Sequence, residues 1–355
     1  MNPVSRRITR LKALALLSTL LSVASCSTTP PGTIQGTLIG IGSKSGQGAV
    51  SAWGLAWRDT VKGTSVSYSP DGSAAGIKAF RDGQAHFAVG SAPLPEDEAS
   101  TVRGMCTSDG ALSLAAGVLP VGVATNIEGV NEVVLDAPAL AAILRGEVKR
   151  WNDPLLVALN PQTTMPDMAI TVLVEKGPSD TARSVNDYLG QEDGTNWKMD
   201  AADAWPSDVV GQKASPPLAL ANELDETDGG LSVLDGSIIG NRFVAAQLVF
   251  GGKTRTLGAS SVVDAVSTGR VEATERAVTQ SLDGQSGYAL ATVIYLHICR
   301  EYSEEALSRL AGSFGESVLG DEAQKNANAF AFVMSPSKKA VTEGMALISA
   351  MGGGQ

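Results

Sequence analysis

Between residues 33 and 91, strand-like and helix-like runs take turns, and this alternation constrains the fold of the chain more than any other feature. Residues 33–42 alternate into a Gly-rich end, Gly40-Ile41-Gly42-Ser43. The run 47–60 then sets Val50, Trp53, Gly54 and Trp57 on one helical face. Val66-Ser67-Tyr68 reads as a strand, and Asp71-Gly72-Ser73 as a turn able to cap a helix carrying Ile77, Phe80 and Arg81. Residues 86–89 form another short strand, ending at Gly90-Ser91. Strand, loop and helix in repeated order predict an α/β fold.

The rhythm continues downstream. Residues 118–125 read as a buried-type strand able to cross into a second lobe. Short helices are expected over 138–144 and 154–159, around the turn Trp151-Asn152-Asp153, with a strand over 170–174. Gly177-Pro178-Ser179-Asp180-Thr181 leads into a helix over 182–189. A strand-like run over 243–250 follows a Gly/Asp-rich region, and 287–299 reads as a strand returning to the first lobe. Helices over 304–311, 321–329 and 338–351 close the chain, and no internal repeat is visible.

The N-terminal segment belongs to export rather than to the fold. Arg6, Arg7, Arg10 and Lys12 precede a short apolar run over 13–21, and Val23-Ala24-Ser25-Cys26 follows. A basic start, an apolar stretch and small residues before a cleavage point make a signal peptide, 1–25. The residue after the small pair is Cys, and the pattern resembles a bacterial lipobox. That resemblance implies lipidation of Cys26 and a chain held on the outer face of the cell membrane by its acyl groups. The alternative, a spanning helix, needs about 20 apolar residues, more than this run supplies. Ser5-Arg6-Arg7 resembles a twin-arginine signal, broken by Thr9 and Arg10. Residues 26–32 form a linker.

Removing the four basic residues of the signal turns the net charge of −10 into −14. This acidity excludes nucleic acid as a partner and electrostatic docking on anionic lipid. The remaining 330 or so residues exceed one compact core, so two lobes are expected. Cys106 and Cys299 read as one disulfide in an exported protein, or else as two buried thiols. His86 and His297, the only histidines, lie in strand-like segments with no metal-ligand spacing, and no metal or cofactor is expected. No Gly-x-Ser-x-Gly elbow occurs, and the chain reads as a non-enzyme.

Several segments together resemble the phosphate-binding proteins of bacterial phosphate ABC transporters. They are Gly40-Ile41-Gly42-Ser43 with Trp53; Tyr68 with Gly72-Ser73-Ala74-Ala75-Gly76-Ile77-Lys78; and Phe87-Ala88-Val89-Gly90-Ser91-Ala92-Pro93-Leu94. Asn126-Ile127-Glu128-Gly129-Val130, Leu135-Asp136, Trp151-Asn152-Asp153-Pro154, Leu159-Asn160-Pro161, Ile170-Thr171-Val172, Ser179, Thr181 and Tyr188-Leu189 continue the likeness. It covers most of residues 36–190 and thins afterwards. It implies a two-lobed periplasmic-binding-protein clamp, type II-like, with a hinge of crossing strands: residues 33–122 plus 288–355 in lobe one, 123–287 in lobe two. The implied role is an extracytoplasmic solute-binding lipoprotein that carries phosphate or a related small anion to an ABC permease. The contexts of Cys106 and Cys299 look like a disulfide pair of actinobacterial members.

Carried over by position, the resemblance implies ligand-binding roles for Lys44, Ser45, Ser73, Ser91, Ser179 and Thr181. Hydroxyls and helix N-termini suit a dehydrated anion, whose every oxygen needs a donor. Several positions depart from the family pattern. The first-loop hydroxyl and its neighbour become Lys44 and Ser45. Ser91 stands at the proton-accepting Asp, Glu175 at the Arg, and Asp180 at the Gly between the two hydroxyls. A carboxylate about 4 Å from a bound anion costs roughly 4 kcal/mol per pair of unit charges at an effective dielectric near 20. Lys44, Arg183 or Lys176 is a candidate replacement cation. Alternatively Lys44 and Glu175 pair across the cleft and hold the clamp partly shut. The alternative function is a divergent member that does not bind phosphate and serves as an extracytoplasmic binding or interaction module, or as a receptor for another small ligand, such as a zwitterion.

Overall fold

The computed structural model describes residues 34–193, 197 and 203–351. The signal peptide, Cys26 and the linker 26–32 lie outside the described residues, as does the C-terminal Gly run.

The first part of the chain alternates as its pattern predicts: β1 (Gly36–Gly42), α1 (Gln47–Thr60), β2 (Thr64–Ser69), α2 (Ser73–Arg81), β3 (Phe87–Gly90) and α3 (Glu96–Thr101). Helix α1 buries Val50, Trp53 and Trp57, the stripe seen in the sequence. Strands β1, β2 and β3 are parallel, so the loops at their C-terminal ends gather on one side of the sheet.

Strand β4 (Ala111–Asn126) is the crossing strand, far longer than the 118–125 expected. Its apolar and small residues are buried almost throughout, and a strand covered on both faces shows no alternation. The second region follows: β5 (Val134–Leu135), α4 (Ala137–Leu144), α5 (Pro154–Leu159), β6 (Thr171–Glu175), α6 (Asp180–Glu192), β7 (Gln212–Lys213), α7 (Pro217–Asp225), β8 (Gly230–Asp235) and α8 (Gly236–Ile239). Asp136, Asp153 and Ser179 cap α4, α5 and α6 by accepting backbone N–H bonds. Trp151, in the expected packed turn, is buried and donates Nε1–H to the Gly229 carbonyl.

Then come β9 (Val244–Ala245), β10 (Gln247–Phe250), β11 (Lys253–Arg255), α9 (Ala259–Thr268), β12 (Val271–Ala273), β13 (Ala277–Gln280), β14 (Ala291–Cys299), α10 (Glu305–Leu319), α11 (Asp321–Ala331) and α12 (Lys338–Ser349). The main path of the large sheet runs β2-β1-β3-β14-β4-β8-β6-β7. Strand β4 pairs with β14 over 111–120 and with β8 over 121–126. One continuous strand therefore serves two regions, as a hinge of crossing strands requires.

Two large clusters of buried side chains correspond to two lobes. The first holds Trp53, Trp57, Phe80, Phe87, Phe314 and Val318. The second holds Val123, Leu140, Trp151, Val185, Leu231 and Tyr288. Strands β12 and β13 add Val271 and Val278 to the first cluster, although the sequence division puts them with lobe two. Cys106 and Cys299 are joined by a disulfide across 193 residues of sequence, and both half-cystines belong to the first cluster.

The histidines are structural. The His297 ring lies 3.0 Å through Nδ1 from Ser113 Oγ, and burial pulls its pKa down to about 4. His86 accepts the Ile39 N–H on Nδ1 at 3.1 Å, and burial lowers its pKa as well. Among the described residues no helix is long and apolar enough to cross a membrane, and no group of metal-ligating side chains occurs.

Candidate functional site

Two pairs of parallel strands, one from each lobe, end at one cleft. Ser43 follows β1, Ser73 opens α2 after β2, and the segment from Glu175 to Thr181 joins β6 to α6. Asp235 ends β8, which is parallel to β6. A cavity of about 300 Å³ lies here, lined by Lys44, Ser45, Ser73, Glu175, Ser179, Asp180 and Thr181 among others.

Local sequence places these groups. The first two loops pack tightly because Gly76 has no side chain: a Cβ there would lie 2.3 Å from the Ile41 carbonyl oxygen. The Gly72 N–H donates to the Gly42 carbonyl, and the Tyr68 hydroxyl donates to the Ser43 carbonyl at 2.8 Å. Ser43 is buried, and its Oγ accepts the Gly46 N–H at 2.8 Å, which turns its own hydrogen toward the cleft.

That hydrogen goes to Asp180. Ser43 Oγ donates to Asp180 Oδ2 at 2.6 Å, and Ser73 Oγ donates to Asp180 Oδ1 at 2.8 Å. Asp180 is buried in the first turn of α6, where the helix dipole favours a negative group. Beside it, Lys44 Nζ lies 3.0 Å from Glu175 Oε1, the cross-cleft pair considered in the sequence. Burial holds the Tyr68 phenol well above its usual range, with Asp180 and then Asp71 pushing the same way.

A third carboxyl lies close. Burial pushes Asp235 up to about 7; a hydrogen bond from Ser45 pulls against this, while Asp180 and Glu175 reinforce it. Asp235 Oδ1 is buried without a hydrogen-bond partner.

Of the residues singled out in the sequence, five share this cavity: Lys44, Ser45, Ser73, Ser179 and Thr181. Ser179 acts as the cap of α6 and lies 3.3 Å from the Thr181 hydroxyl. Ser91 is elsewhere. It lines a second cavity of about 300 Å³ with Arg183, Ser184, Asp187, Gln280 and Thr292. Arg183 is no spare cation for the site, because it pairs with Asp203. Sequence reasoning missed Ser43, having placed the first-loop hydroxyl at Lys44 and Ser45. Its signal was its position directly after the Gly-rich end of β1.

A family model described as "PBP superfamily domain" matches residues 27–322. The phosphate-binding protein PstS3 of Mycobacterium bovis (strain BCG) is 24% identical over 293 residues, covering 80% of this chain and 79% of that protein. Among solved structures, the periplasmic phosphate-binding protein PfluDING, bound with phosphate, superposes with a TM-score of 0.69 at 14% identity, covering 88% of this chain and 93% of that one. A phosphate-binding protein from Stenotrophomonas maltophilia gives 0.64 at 17% identity, covering 88% and 94%.

Proposed function

This chain belongs to the PBP superfamily, and from that premise we propose that it is an extracytoplasmic solute-binding protein delivering inorganic phosphate, or a related small oxyanion, to an ABC importer. One observation carries the reading: hydroxyls from two loops of the first lobe meet the N-terminal turn of α6 from the second lobe, and together they hold the two oxygens of a carboxylate. Donors set around one oxyanion suit another. The named relative binds phosphate. The role is solute binding rather than catalysis, with a membrane permease as partner.

The finer assignments belong to the same reading. Cys26 is the lipid-anchored first residue of the mature chain, on the outer face of the membrane. The lobes are residues 33–122 plus 288–355 and residues 123–287, with the β12–β13 hairpin packed on the first. Lys44, Ser45, Ser73, Ser179 and Thr181 surround the solute, and Ser91 lines the neighbouring cavity.

A second reading is favoured by the charges. Lys44 is already paired with Glu175, and Asp180 and Asp235 add carboxyl groups to the same cleft. Such a cleft suits a divergent member that does not take up phosphate and serves as a binding or interaction module, or as a receptor for a zwitterion. Thermal unfolding against rising phosphate, sulfate and a zwitterionic amino acid separates the two. A ligand at a hundred times its Kd stabilises by about 2.7 kcal/mol. A phosphate-dependent rise in Tm is expected; no response to any anion would leave the second reading.

A further inference from the structure

We propose that Asp180 is a resident anion: its carboxylate occupies the oxyanion position of the cleft, ties the two lobes without solute, and must be displaced when a solute anion enters. This rests on the reading of the cleft as an oxyanion site and adds how that site is regulated.

The geometry makes the case. Asp180 begins α6, whose Ala182 and Val185 are in the second core, while Ser43 and Ser73 stand on loops of the first. Both carboxylate oxygens are used across the cleft, one per hydroxyl, at 2.6 and 2.8 Å. The Ser43 hydroxyl has a single hydrogen, and with its oxygen already accepting from Gly46 that hydrogen can serve one acceptor only. An external anion and Asp180 therefore compete for the same donor. They also compete through charge, because the nearest cation, Lys44, already faces Glu175. Helix capping does not require Asp180, since Ser179 performs it.

The consequence is a clamp that closes on itself. In an ordinary clamp the solute supplies the contacts that hold the closed form. Here part of that contact set is covalently attached to the second lobe, so solute must open the tie before it can replace it. Apparent affinity then falls by the fraction of molecules with Asp180 displaced.

The test is D180A beside wild type, titrated with inorganic phosphate by calorimetry. D180A is expected to bind phosphate at least a hundredfold more tightly. A D180A affinity no tighter than wild type overturns the proposal, and if wild type binds tightly in that case the proposed function stands without it. Should D180A fail to fold, D180N keeps the side chain's size without its charge; a gain of tenfold or more supports the proposal, and a smaller gain overturns it. Should neither protein bind phosphate, the function proposed above fails, while small-angle scattering in phosphate-free buffer still decides the tie. A larger radius of gyration for the variant supports it, and an unchanged one overturns it.

Discussion

The first turn of α6 presents Asp180 and Thr181 to a cavity shared with Lys44, Ser73 and Glu175. One turn later the same helix presents Arg183, Ser184 and Asp187 to another cavity of equal size, about 300 Å³, shared with Ser91, Gln280 and Thr292. The two flanks satisfy their polar groups differently. On the first, partners come from across the cleft, 107 to 137 residues away in sequence. On the second, Arg183 pairs with Asp203 and the Ser184 hydroxyl donates to the Asp180 carbonyl, both within the lobe of α6, while Ser184 also meets Thr292 on β14, the strand that returns to the first lobe. A group answered within its own lobe keeps its partner when the clamp opens, whereas one answered from the opposite lobe loses it. Solute sensitivity therefore belongs to the first flank.

The first flank also carries surplus acid, and Asp235 gives the largest measurable effect. Its carboxyl is raised from 3.8 to about 7 by burial and by two neighbouring carboxylates. The native state thus keeps a proton that the unfolded chain has lost, and stability falls as pH rises between those two values. D235N removes this dependence. At pH 8 the variant is expected to exceed wild type by about 2–4 kcal/mol in urea unfolding, with the difference vanishing near pH 4. Parallel stability profiles for the two proteins would show that the flank carries no such surplus.

A smaller effect sets the flanks against each other directly. S73A deletes a hydroxyl that donates to a buried carboxylate, and should cost about 1.5–3 kcal/mol of unfolding free energy at pH 7. S91A, in the other cavity, should stay within about 0.5 kcal/mol of wild type. Equal losses would erase the distinction drawn between the two flanks.

Much of the architecture was legible where local chemistry decides it. Helix α1 and helix α5 occupy the residues their apolar stripe and Asp-Pro start predict. Strand β8 was not legible: Gly230-Leu231-Ser232-Val233-Leu234-Asp235 is buried throughout between β4 and β6, and its Gly and Asp ends resemble a loop. At the site, the residue types were legible but not their partners. Asp180 read as a charge that would repel a solute; the structure gives it the solute's own donors. That exchange depends on the approach of loops more than a hundred residues apart, which no local pattern encodes. The Ser43 hydroxyl was overlooked for a similar reason, since the carboxylate it donates to lies 137 residues away in sequence.

The smallest effect concerns the pair at the mouth of the first flank. Glu175 is nearly buried, but the Lys44 side chain is 48% exposed, so water and salt screen the interaction. A double-mutant cycle with K44A and E175A should give a coupling of about 0.2–1 kcal/mol at low salt, shrinking at about 0.5 M salt. Strict additivity would mean that the two side chains do not hold each other in solution. A coupling above about 2 kcal/mol would shift the main tie between the lobes from Asp180 to this pair, because a screened pair reaches that strength only when closure removes water from both partners. The size of this coupling therefore decides whether closure without solute rests on the buried carboxylate or on the exposed ammonium.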